Sequence, residues 1–78
     1  MRSRVEGIAA RLSRALKTPV RRAEGPNGIR LEADLPPDLT ETERKVTLAA
    51  ISDADSFGHE RTRRGDLVWA FINSEDVS

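Results

Sequence analysis

The sequence predicts an α+β fold: two helices packed on one face of a four-stranded antiparallel sheet, in the order helix–hairpin–helix–hairpin (αββαββ). Three observations carry this expectation. Apolar residues recur at spacings of three and four in two segments that both open with capping residues. Two Gly-bearing turns each divide a pair of extended runs. The chain has 78 residues and no cysteine, so no disulfide or thiolate zinc site can replace a core.

The first helix is expected over residues 3–17. Val5, Ile8, Leu12, Ala15 and Leu16 form one stripe, with Ala9 beside it. Ser3 and Glu6 have capping-box spacing, Lys17 suits the C-terminal end of the dipole, and Pro19 ends the helix. A hairpin follows, with strands at 20–24 and 29–35 around Gly25-Pro26-Asn27-Gly28. Ile29, Leu31, Ala33 and Leu35 alternate with Arg30, Glu32 and Asp34, which is the period of a strand with one wet face. Pro36-Pro37 closes it.

The second helix is expected over 40–52, capped by Asp38 or Thr40 with Glu41 or Glu43 completing the box. Its apolar residues split into two patches. Val46, Ala49 and Ala50 form one, Leu48 and Ile51 the other; one is expected to pack on the sheet, and Val46 is placed in the core. The last hairpin pairs 57–62 with 66–72 across a three-residue loop, Arg63-Arg64-Gly65. That loop would set Phe57 opposite Phe71, His59 opposite Trp69 and Arg61 opposite Leu67. Residues 1–72 read as one domain and 73–78 as an acidic, frayed tail. The expected core is Val5, Ile8, Leu12, Leu16, Ile29, Leu31, Leu35, Val46, Trp69 and Phe71.

Thirteen basic residues balance thirteen acidic ones, yet the charge is unevenly spread. Residues 1–30 hold eight basic and two acidic side chains, residues 31–56 two and seven, and residues 57–78 three and four. Such polarity predicts either a partner surface or an internal match between basic and acidic faces. No apolar run reaches the ~20 residues of a membrane span, and a cytoplasmic location is expected.

Catalytic constellations are scarce. The single histidine, His59, is expected to pack beside Trp69, and its neighbour Glu60 points to the opposite face of the strand. Asp53 and Asp55 lack calcium-loop spacing, and no Gly-rich phosphate loop occurs. The chain is therefore expected to be no enzyme and to need no metal, cofactor or small-molecule substrate. Arg64-Gly65-Asp66 spells a cell-adhesion tripeptide, but the turn already accounts for Gly65.

Two functions remain. The first is a protein-interaction module: a regulator, adaptor or inhibitor that binds another protein or itself. Residues 67–72 are apolar on both faces, and a strand of that kind at a sheet edge invites pairing, so a homodimer is expected. The candidate interface is Leu48, Ile51, Val68, Ala70 and Ile72. The alternative is nucleic-acid binding, in which Arg11, Arg14, Arg21, Arg22, Arg61, Arg63 and Arg64 would neutralise phosphates and the last hairpin would serve as a wing. The acidic start of the second helix and the zero net charge count against it.

Overall fold

The structure is a computed structural model and describes residues 3–74. Its elements are α1 (Arg4–Leu16), β1 (Arg21–Gly25), β2 (Gly28–Asp34), α2 (Glu41–Ile51), β3 (Ser56–Thr62) and β4 (Gly65–Asn73). This is the expected αββαββ order, an α+β class with an open, fully antiparallel four-stranded sheet.

Local chemistry sets the ends. Ser3 Oγ accepts from the Glu6 N–H at 3.1 Å and opens α1. Lys17 closes it in the left-handed conformation (φ 54°), with its N–H donated to the Ser13 carbonyl. At α2 the capping box is complete in both directions: Thr40 Oγ1 accepts from the Glu43 N–H, and Glu43 Oε1 accepts from the Thr40 N–H. The bond from the Thr40 N–H, then the nearby Thr40 hydroxyl and Lys17, hold the Glu43 carboxyl below the usual glutamate value of 4.5.

The strand order is β1-β2-β4-β3, so β4 is an interior strand and β1 and β3 are the edges. Ile29, Leu31 and Ala33 of β2 stand opposite Ile72, Ala70 and Val68 of β4, and all six are buried. Val5, Ile8, Leu12 and Leu16 of α1 and Ala50 and Ile51 of α2 pack on this face. Ala33, Ala50 and Ala70 are wholly buried; their small side chains let the helices approach the sheet closely.

This packing corrects four expectations. Trp69 and Phe71 are half-buried on the open face of the sheet, not in the core, because the space under the helices fits Val68, Ala70 and Ile72 and not two large rings. Val46 is exposed; α2 turns Thr47, Ala50 and Ile51 inward instead. The second hairpin has a two-residue loop, since Thr62 pairs with Gly65, and the register moves by one. Phe57, His59 and Arg61 then face Ala70, Val68 and Asp66, and each lies on the helix side of the sheet. Finally, Asn73 belongs to β4 and the Ser74 N–H donates to the Asn27 carbonyl, so the fold extends past residue 72. The rest of the expected tail, 75–78, lies outside the described residues.

Two glycines are required by close approach. A Cβ on Gly28, where φ is +152°, would meet the Ile72 carbonyl oxygen at 2.1 Å. A Cβ on Gly58 would lie 2.7 Å from the Trp69 indole, which rests flat over this point of β3. The guanidinium of Arg30 covers Trp69, 4.8 Å from the ring centroid.

Candidate protein-binding groove

Burial in the sheet is confined to the two central strands; every residue of β1 is exposed, and β3 is exposed except at Gly58. The helix-side face of β3 therefore overhangs the core with nothing above it. Phe57 stands on that overhang, 47% exposed, and Leu48 of α2 faces the same space at 50%. Between them runs an open apolar groove, with Ile51 and Val68 as its floor and Leu35 and Leu39 at one end. His59 and Arg44 form polar rims. His59 Nε2 lies 3.2 Å from Asp66 Oδ2, and Arg61 Nε approaches the other oxygen of that carboxylate at 3.6 Å.

The expected interface separates in three dimensions. Leu48 is at the surface as predicted. Ile51, Val68, Ala70 and Ile72 are between 0% and 3% exposed, covered by the chain's own helices. Ile51 and Val68 reach the groove only as its floor, and Ala70 and Ile72 are sealed. A partner cannot touch these two without opening the core, and β4 is not an edge, so the edge-pairing argument for the expected homodimer does not apply. A three-residue loop sets Phe57 opposite Phe71, away from the expected interface; Thr62 against Gly65 sets it opposite Ala70 on the helix-side face, and the packing of α2 brings Leu48 to it. Leu35, Leu39 and Arg44 flank the groove through a loop and a helix start whose placement no periodicity reveals.

The edges differ in protection. β1 carries Arg21, Arg22 and Glu24 within five residues, charges that discourage strand pairing. The first half of β3 is Ser56-Phe57-Gly58-His59, with charge arriving only at Glu60 and Arg61. The unguarded stretch of edge lies along the groove.

The charge polarity seen in the sequence is matched internally. Arg4 Nε donates to the Asp53 carbonyl at 2.9 Å and its guanidinium meets Asp55; Arg11 pairs with Asp53. Arg21 pairs with Asp34 and Glu32, and Arg30 bridges Glu32 and Glu60 on the open face. Hydrogen bonding to Asp34 holds Arg21 above its usual pKa; at Arg30 desolvation opposes the charge but the Glu32 and Glu60 bonds outweigh it. The Asp55 carboxylate also accepts from the Asn73 N–H at 2.8 Å.

The candidate phosphate contacts are dispersed. Arg11 and Arg14 lie on α1, and Arg22 sits on the helix-side face of β1, where Arg21 is opposite on the open face. Arg63 and Arg64 form the hairpin tip, where they share a cleft with Arg21 but also with Asp34 and Asp66. Arg11, Arg21 and Arg61 are committed to carboxylates. Among the described residues these arginines form no continuous track, though Arg21, Arg63 and Arg64 share one cleft. Asp66 of the Arg64-Gly65-Asp66 tripeptide faces His59 and Arg61 on the helix side of the hairpin.

No family model, curated protein or solved structure matches the chain. Function has to be read from the chemistry of the groove. No helix among the described residues is long and apolar enough to cross a membrane.

Proposed function

We propose that the chain is a small, non-catalytic protein-interaction module that captures an extended segment of a partner protein in the α2–β3 groove. The observation that carries this reading is the meeting of half-exposed Leu48 and Phe57 across an apolar groove beside the uncharged half of an edge strand. Strand addition supplies main-chain hydrogen bonds, and alternate side chains of the guest enter the groove. The proposal places the protein in the cytoplasm, in keeping with its cysteine-free sequence.

Full burial of a Leu or Phe side chain is worth roughly 1.5–3 kcal/mol, so covering the exposed half of each recovers about 1 kcal/mol per residue. The test is selection of nine-residue peptides displayed on phage. Binders from the wild type should lose about fivefold in affinity on Phe57→Ala and tenfold or more on Leu48→Asp. Both side chains are at the surface, so the fold should tolerate these changes. Peptides indifferent to both substitutions would sink the proposal. So would duplex DNA binding at ~50 mM salt that weakens in Arg14→Ala/Arg22→Ala, which is the behaviour of a phosphate-binding surface.

A further inference from the structure

The groove does not end at Leu35 and Leu39. Those two residues and Arg44 also line a second cleft, which continues past Pro36 and Pro37 to Arg64. Arg44 and Arg64 stand apart from the other arginines along this surface. Arg21 and Arg61, near the same hairpin tip, meet carboxylates, whereas Arg44 and Arg64, like Arg14, Arg22 and Arg63 elsewhere on the surface, form no ion pair among the described residues. The carboxylate that lines this cleft, Asp66, faces His59 and Arg61, the latter at 3.6 Å, rather than Arg44 or Arg64. One end of an otherwise apolar groove therefore carries two uncompensated guanidinium groups. A guanidinium presents a planar fork of donors that matches a carboxylate.

We propose that the partner segment carries a carboxylate side chain held by Arg44 and Arg64, followed about four residues later by an apolar side chain lodged between Leu48 and Phe57. The spacing comes from the strand. Arg61 stands opposite Asp66, which lines the cleft with Arg44 and Arg64; Phe57 to Arg61 is four residues, roughly 13 Å at ~3.3 Å per residue, and that even interval keeps both side chains on the helix-side face. The order follows from direction. β3 runs from Phe57 towards the hairpin tip, and every pairing in the sheet is antiparallel. A guest strand added antiparallel enters at the Arg64 end, so its acid precedes its apolar anchor. This inference rests on the α2–β3 groove being the binding site.

The experiment uses the displayed nine-residue peptides, selected in parallel on the wild type and on Arg44→Ala/Arg64→Ala. Wild-type selection should enrich Asp or Glu four positions before a Leu, Ile or Phe. Selection on the double variant should keep the apolar anchor and lose the acid. For the best wild-type binder, changing that acid to its amide should weaken binding about five- to tenfold on the wild type and leave it unchanged on the double variant. The thermal midpoint of the variant should match the wild type, since both arginines are exposed. Arg44→Lys/Arg64→Lys, which keeps the charge but not the fork, should recover only part of the preference. Enrichment of apolar anchors without the acid, with binding still lost on Leu48→Asp, would overturn the carboxylate and leave the groove standing. An acid enriched after the anchor would overturn the antiparallel order. Failure to recover any peptide sensitive to Leu48→Asp would remove both the carboxylate and the groove.

Discussion

Gly58→Ala places one methyl group where the structure has least room. Its carbon would lie 2.7 Å from the Cε2, Cζ2 and Nε1 atoms of Trp69, well inside van der Waals contact. Either the strand moves or the indole lifts. Overpacking of this kind costs about 1–3 kcal/mol. If the ring swings away, it also leaves the Arg30 guanidinium now 4.8 Å from its centroid, an interaction worth roughly 0.5–1 kcal/mol at an exposed site. Against this, Ala restricts the unfolded chain and recovers about 0.5–1 kcal/mol. The net loss is roughly 1–3 kcal/mol. For a domain this small, 1 kcal/mol shifts the thermal midpoint by roughly 4–8 °C, so Gly58→Ala should melt about 5–20 °C lower. Melting followed by circular dichroism measures this, and Trp69 fluorescence reports on the ring directly because the chain has a single tryptophan. The decisive control is the cycle with Trp69→Ala. With the indole gone, Gly58→Ala should be neutral or slightly stabilising. An equal cost in both backgrounds, or a wild-type melt with unchanged fluorescence, would refute the reasoning.

Two further outcomes follow from the helix ends. Lys17 holds a left-handed conformation that Gly adopts without a Cβ penalty, so Lys17→Gly should raise stability by roughly 0.5–1 kcal/mol in chemical denaturation, whereas Lys17→Ala should give no such gain. Glu43 has a folded pKa below its usual 4.5, so it stabilises the fold at pH above 4.5 and loses that contribution as pH falls through the lower folded value; the difference in melting temperature between pH 7 and pH 3 should narrow in Glu43→Gln.

Element order and limits were legible because each signal was local. The α1 stripe, the Thr40 box, the alternation of β2 and the two Gly turns all act within a few residues, and the six elements fall within a residue or so of their expected bounds. What could not be read was which face of β4 meets the helices. Leu67, Trp69 and Phe71 are as apolar as Val68, Ala70 and Ile72, so period-two patterning gives no preference. Volume decides it, and volume depends on Ala33 and Ala50 arriving from elsewhere in the chain. The groove was half legible for the same reason. Leu48 stands out on its helix, but Phe57 joins it only in a register set by a two-residue loop. The charge polarity was visible, and its cancellation was one of two expected outcomes, but the choice required knowing that Arg4 and Arg11 lie against Asp53 and Asp55.

The placement of β4 between β2 and β3 also dictates how the chain must assemble. Each hairpin is a local event, closing in about 1–10 μs, yet an isolated two-stranded hairpin is marginal in water. The seam that makes the core joins residues 28–34 to residues 67–73, with all of α2 and β3 between them. Loop-closure entropy has to be spent before that seam returns anything. Until it forms, neither hairpin has a covered face, and α1 has no surface on which to lay its apolar stripe. The long-range seam between β2 and β4 is therefore the pairing with the largest loop-closure cost, and before it forms the apolar faces of both hairpins lie open to other chains.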